Sequence, residues 1–169
     1  MNTLPSLGKI ELDFGDPEPI VLDLDDMVPI NESDLSGEFT RQPSLYAYVA
    51  TLTAQAEAET LDSKRNLERE RAEADKRART YLAGSNAKVT DSALDARIVL
   101  DVDYQIAMER ESQAKYQQLL LKAVERSMSM RADMLISLGA HLRHEYEQTD
   151  MTILDTKQRL EQIRRAKRE

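Results

Sequence analysis

Between Lys76 and Asp91 lies the group of side chains best suited to hold a ligand. Lys76, Arg77, Arg79 and Lys88 supply four cations, Tyr81 supplies a ring, and no acid falls between Asp75 and Asp91. Cations bind phosphates and a ring face stacks on a base, which is what a single-stranded nucleic-acid site requires. The same cations, placed in the last turn of a helix, also suit the negative end of its dipole. Both readings are open from the residues alone.

A second stretch is acidic and apolar. Asp23, Leu24, Asp25 and Asp26 precede Val28-Pro29-Ile30. The run resembles the acidic-hydrophobic tip of bacterial single-stranded-DNA-binding proteins, although it is internal and has Ile30 where that tip has an aromatic. It reads either as a solvated spacer or as a docking motif for a basic groove, its own chain's basic site included.

Other chemistry finds little footing. His141 and His144 stand three apart beside Glu145 without a further ligand cluster, so no metal site is expected. There is no Gly-rich phosphate loop and no nucleophile with a credible base, so the chain reads as a non-enzyme without a cofactor. It has no cysteine, hence no disulfide. No apolar run approaches the ~20 residues that span a bilayer, and the expectation is a soluble, intracellular protein.

The elements that must position these residues follow from charge and periodicity. Net charge is −8 over 169 residues, and residues 1–42 carry it all, with ten acids against Lys9 and Arg41. Four of the five prolines fall there too. This predicts an acidic, largely disordered tail over 1–42. Pro43-Ser44 then reads as the start of a helix running to Ala83, about 60 Å long. Its heptad seam is thin: Tyr46, Thr53, Thr60, Leu67, Ala74 and Tyr81, with Val49, Leu52 and Ala56. Gly84 is expected to close it in the left-handed conformation, and Thr90 or Asp91 to cap the next helix.

That second helix is expected from Ser92 to about Gln148. Leu100, Tyr104, Ala107, Ala114, Leu121, Met128, Leu135 and Leu142 follow a 3-4 spacing, with Leu120, Val124, Met134 and Leu138 in an adjacent strip. Met128, Met130 and Met134 read as core filling, and a break near Ser127–Ser129 or at Gly139 is admissible. A short loop between two long helices implies an antiparallel hairpin. Residues 149–169 are expected to form a separate basic helix, with six bases and two acids in 157–169. The fold class is therefore all-α: a hairpin core over 43–148, a C-terminal helix over 149–169 and the acidic tail.

The order of parts resembles the UvsY-type phage recombination mediators. The likeness covers about residues 44–148. It rests on the Lys76–Arg79 cluster with Tyr81 and Gly84, then Lys88-Val89-Thr90-Asp91, then Asp101-x-x-Tyr104, then the run from Ala132 to Ala140. It implies an all-helical, ring-like homo-oligomer, a hexamer or heptamer. It implies binding of single-stranded DNA and loading of a RecA-like recombinase onto strands covered by single-stranded-DNA-binding protein, without hydrolysis, in the cytoplasm of a phage-infected host. Carried over residue by residue, the DNA contacts fall on Lys76, Arg77 and Arg79, with Tyr81 following. A phage scaffolding or tail-assembly protein that binds no DNA is the alternative on the same pattern.

Overall fold

The computed structural model describes residues 6–15, 17–84 and 90–166, with side chains through residue 160. Its frame is two long antiparallel helices, α2 (Leu35–Gly84) and α4 (Val102–Ala166), with a short α3 (Asp91–Val99) between them. Before them stand a two-stranded antiparallel sheet, β1 (Lys9–Leu12) and β2 (Ile20–Asp23), a single-turn helix α1 (Leu24–Met27) and a 3-10 turn, Glu32–Asp34.

The N-terminal region departs from the disorder expected over 1–42. Ile10 pairs with Leu22 and Leu12 with Ile20, so the four side chains share one face. Leu12 and Leu22 are buried against Val49, Leu52 and Ala56 of α2 and Leu121, Val124 and Met128 of α4. Glu11 and Asp13 alternate with Ile10, Leu12 and Phe14 and are exposed, whereas Glu38 is buried. In the turn, Gly15 takes φ 84°, and its amide donates to the Asp13 carboxylate at 2.8 Å.

Helix α2 begins at Leu35 rather than at Pro43-Ser44. Asp34 accepts the Gly37 amide at 3.0 Å, as a capping residue does. Pro43 sits on an exposed face inside the helix. Its ring removes one amide from the ladder, normally a strongly unfavourable change. The extra turns persist because Glu38 and Gln42 reach α4. Gln42 donates to the Met128 carbonyl at 2.7 Å, and Glu38 pairs with Arg131.

The seam between α2 and α4 is largely the expected one: Val49, Leu52, Thr53, Ala56 and Ala74 face Ala107, Ala114, Leu121, Val124, Met128 and Leu135, all buried. Its ends differ, since Tyr46, Tyr81 and Leu100 are exposed. Of the three methionines, Met128 alone fills core; Met130 and Met134 are exposed.

Two further boundaries move. The second helix is interrupted at Leu100-Asp101, where Asp101 accepts the Tyr104 amide at 3.2 Å and starts α4 afresh. The expected separate helix over 149–169 is instead the continuation of α4, which passes Ser127–Ser129 and Gly139 unbroken. Gly84 ends α2 as a helical residue; the glycines with positive φ among the described residues are Gly8 and Gly15. Thr90 is the cap of α3, accepting the Ala93 amide at 3.3 Å. No helix of the described residues is long and apolar enough to cross a membrane.

Candidate nucleic-acid interface at the closed end of the hairpin

Ala74, Ala78 and Leu82 form the inner face of the last turns of α2 and bury against Leu94 and Ile98 of α3. The two alanines leave room for α3 to lie close. This packing puts Arg77 and Tyr81 on the flank that faces the α3–α4 junction. Together with Arg97, Leu100, Asp101, Val102 and Asp103 they line a cleft of about 410 Å³.

Arg77 grips Asp101 with both arms of its fork, Nε at 2.8 Å and Nη2 at 2.6 Å, and lies 3.4 Å from Asp103. The hydrogen bond from Arg77 holds the Asp101 carboxyl below its usual range, with the Tyr104 amide helping; Asp101 in turn raises Arg77. Arg79 folds back onto Asp75 at 2.8 and 3.2 Å, which lowers that carboxyl. Lys76 stands 3.9 Å from Glu73. Tyr81 is 57% exposed, and the Arg97 guanidinium lies over its ring at 4.3 Å. Lys88 lies outside the described residues.

Of the residues singled out in the sequence, Arg77 and Tyr81 line the cleft, whereas Lys76 and Arg79 belong to the same helix turns but not to its walls. The segment that lacks acids in sequence does not lack them in space. Asp101 and Asp103 arrive from the far side of α3, and Glu73 and Asp75 from one turn earlier. Arg97 was not singled out by sequence reasoning. Only the position of α3 relative to Tyr81 gives it a role, and no local pattern signals that.

The acidic run lies at the other end. Asp23 accepts the Asp25 amide at 3.2 Å and lies 3.1 Å from Lys9. Asp25 accepts from the Ser6 hydroxyl at 2.6 Å and the Leu7 amide at 2.8 Å, which together lower its carboxyl. Asp26 meets Arg41 at 2.7 Å. Leu24 and Val28 pack against the core, and Ile30 is half-buried. The Val28 and Pro29 carbonyls both accept from Arg131 at 3.1 Å. The run is thus folded onto its own chain, against α2 between Arg41 and Val49, about 40–55 Å along that helix from Arg77, too far to compete with a polyanion there.

Arg131 is the other residue that pattern reading passed over. It is 3% exposed and bonds Glu38 and Gln42 as well as the two carbonyls. Its signal was present: it occupies a seam position, three after Met128 and four before Leu135. His141 and His144 turn to Glu145 at 3.2 Å and Gln148 at 2.9 Å. Among the described residues no three ligands gather for a metal.

The fold and this cleft define a long two-helix hairpin protein with an arginine- and tyrosine-lined closed end. Comparison with protein-family models, with curated proteins and with solved structures gives no match.

Proposed function

We propose that this chain is a non-catalytic recombination mediator. It holds single-stranded DNA at the closed end of the hairpin and helps load a RecA-like recombinase onto strands covered by single-stranded-DNA-binding protein. The observation that carries the reading is the cleft itself, with an exposed tyrosine ring and Arg77 and Arg97 on its walls, and Lys76 and Arg79 lie on the same turns of α2. Both guanidiniums keep a substantial part of their surface in solvent, Arg79 more than Arg77, whose partner Asp101 is largely covered. Strand phosphates can exchange with Asp101 and Asp75, and a base can stack on the free face of Tyr81. One such site is weak. A ring-like homo-oligomer of six or seven copies repeats it, and multivalency supplies the affinity.

A mobility-shift titration with single-stranded DNA at two salt concentrations tests this. Replacing Lys76, Arg77 and Arg79 by alanine weakens binding and flattens its salt dependence. Tyr81→Leu lowers affinity about tenfold, within the range of one lost base stack. Unchanged affinity and slope in both variants would sink the assignment.

A second reading has its own observation. Each of these arginines already has a carboxylate or ring partner, and Met130, Met134 and Ile136 lie exposed along α4. That favours a phage scaffold or tail-assembly protein without DNA binding. Absence of any salt-sensitive shift in the native chain selects it.

A further inference from the structure

Beyond Leu142 the helix α4 leaves the body of the molecule. α2 has begun by then, with Phe39 lying over Gly139, and every residue from Arg143 to Leu160 is exposed. This arm, residues 143–166, is about 36 Å long. Isolated helices of such length are marginal in water, so a packed face would stabilise it.

Two independent features of the arm point to the same occupant. The first is a line of side chains at alternating four- and three-residue steps: Leu142, Tyr146, Thr149, Ile153, Thr156 and Leu160. Tyr146, Ile153 and Leu160 on it are 71%, 46% and 53% exposed. This is the spacing of a two-helix seam. It is also shifted from the seam that α4 uses against α2, because Leu138, Leu142 and Tyr146 follow at two successive steps of four, a stutter that turns the stripe away from α2. Met151 and Leu154 lie off that line.

The second feature is charge. Residues 145–156 hold four acids and no base, whereas residues 157–168 hold six bases and one acid. Two arms laid parallel would set acid against acid and base against base. Two laid antiparallel set each acidic half against a basic one.

We propose that the arm pairs with the arm of a second copy of this chain, antiparallel, about a two-fold axis near residues 154–155. Ile153 of one copy then meets Thr156 of the other, and Leu160 meets Thr149. Asp150 stands level with Arg159 across the seam, and Asp155 and Asp150 flank Lys157. Among the described residues of the single chain, Glu145 pairs with His141 and Arg159 with Asp155, both in exposed pairs that exchange at little cost. The pairing is separate from the strand-binding reading and stands or falls without it.

The chain has no cysteine, so single cysteines report geometry without background. With a short bifunctional thiol reagent, Thr152→Cys near the axis links to itself in most chains. Glu145→Cys alone links at about a tenth of that level or less, being ~28 Å from its own copy. Asp150→Cys mixed with Arg159→Cys links across. Glu145→Cys linking to itself as readily as Thr152→Cys means a parallel pair and overturns the proposal; so does no linkage at Thr152→Cys. Residues 143–160 of the arm are all exposed among the described residues, so charge changes there leave the body folded. Lys157→Glu with Arg159→Glu lowers Thr152→Cys linkage about tenfold, and adding Asp150→Lys with Asp155→Lys restores it. Loss without restoration also overturns the pairing.

Discussion

Arg131 shows how much one buried charge can organise. Its guanidinium satisfies Glu38, Gln42 and two backbone carbonyls, tying the N-terminal segment and α2 to α4 in one place. Truncating one member of a buried pair leaves the other without a partner. Arg131→Ala therefore costs about 3–5 kcal/mol in chemical denaturation, and a loss under ~1 kcal/mol would show that Glu38 finds water instead. Replacing Arg131 and Glu38 together by apolar residues costs less than Arg131→Ala alone. None of this is legible from composition, where an arginine among many reads as solvated surface. Only its register between Met128 and Leu135 marks it. The cleft has the same character. Lys76, Arg77, Arg79 and Tyr81 stand out in sequence because they are local. Arg97 does not, and Asp101 stands out only as part of Asp101-x-x-Tyr104 and not as a partner of Arg77, because the turn that brings them there is a tertiary event.

At the scale of elements, the sequence was read best where periodicity is long. The two helices and their seam follow from 3-4 spacing, and so does the antiparallel hairpin. Boundaries failed where two signals compete. Pro43 is a strong start signal, yet tertiary contacts from Glu38 and Gln42 extend the helix past it. Pro43→Ala restores the amide to the Phe39 carbonyl at an exposed position. It should raise stability by about 1–3 kcal/mol; a loss on denaturant titration would show that the proline bends α2 usefully around the core. The N-terminal hairpin was hidden by its own charge. Ten acids in 1–42 argue for disorder by composition, while the alternation in Ile10-Glu11-Leu12 is the period of a strand. Alternation prevailed because the helices offer an apolar surface at Val49, Leu52 and Leu121. A segment that cannot form its own core can still complete another.

For the whole molecule, charge couples stability to acidity. Arg131 holds Glu38 low, with the Asn31 amide helping, and Arg77 holds Asp101 low. Both bind a proton less readily folded than unfolded. Their contribution is therefore complete above the ordinary carboxylate range and is lost as pH falls through their folded values. Stability should be flat from neutrality to about pH 5 and then decline. Denaturation midpoints across that span test the sign, and the Glu38→Gln variant should decline less steeply. A midpoint that rises on acidification would contradict the ion-pair account. The burial of the molecule is also uneven. Its largest buried side chains gather where the hairpin sheet covers the helices, around Leu12, Leu22, Leu121 and Met128. The closed end is held by the smaller cluster of Ala74, Ala78, Leu82, Leu94 and Ile98. Opening the closed end is the cheaper excursion.

The unbroken course of α4 makes it a ruler. One rigid element runs from the Asp101 cap at the cleft to the centre of the arm, about 78 Å away. Nothing along it, neither Gly139 nor the serines at 127 and 129, offers a joint. Two chains joined at their arms would hold their clefts at opposite ends of a rod about 156 Å long, facing outward. Any strand gripped at both ends would then have its span fixed by helix rise alone.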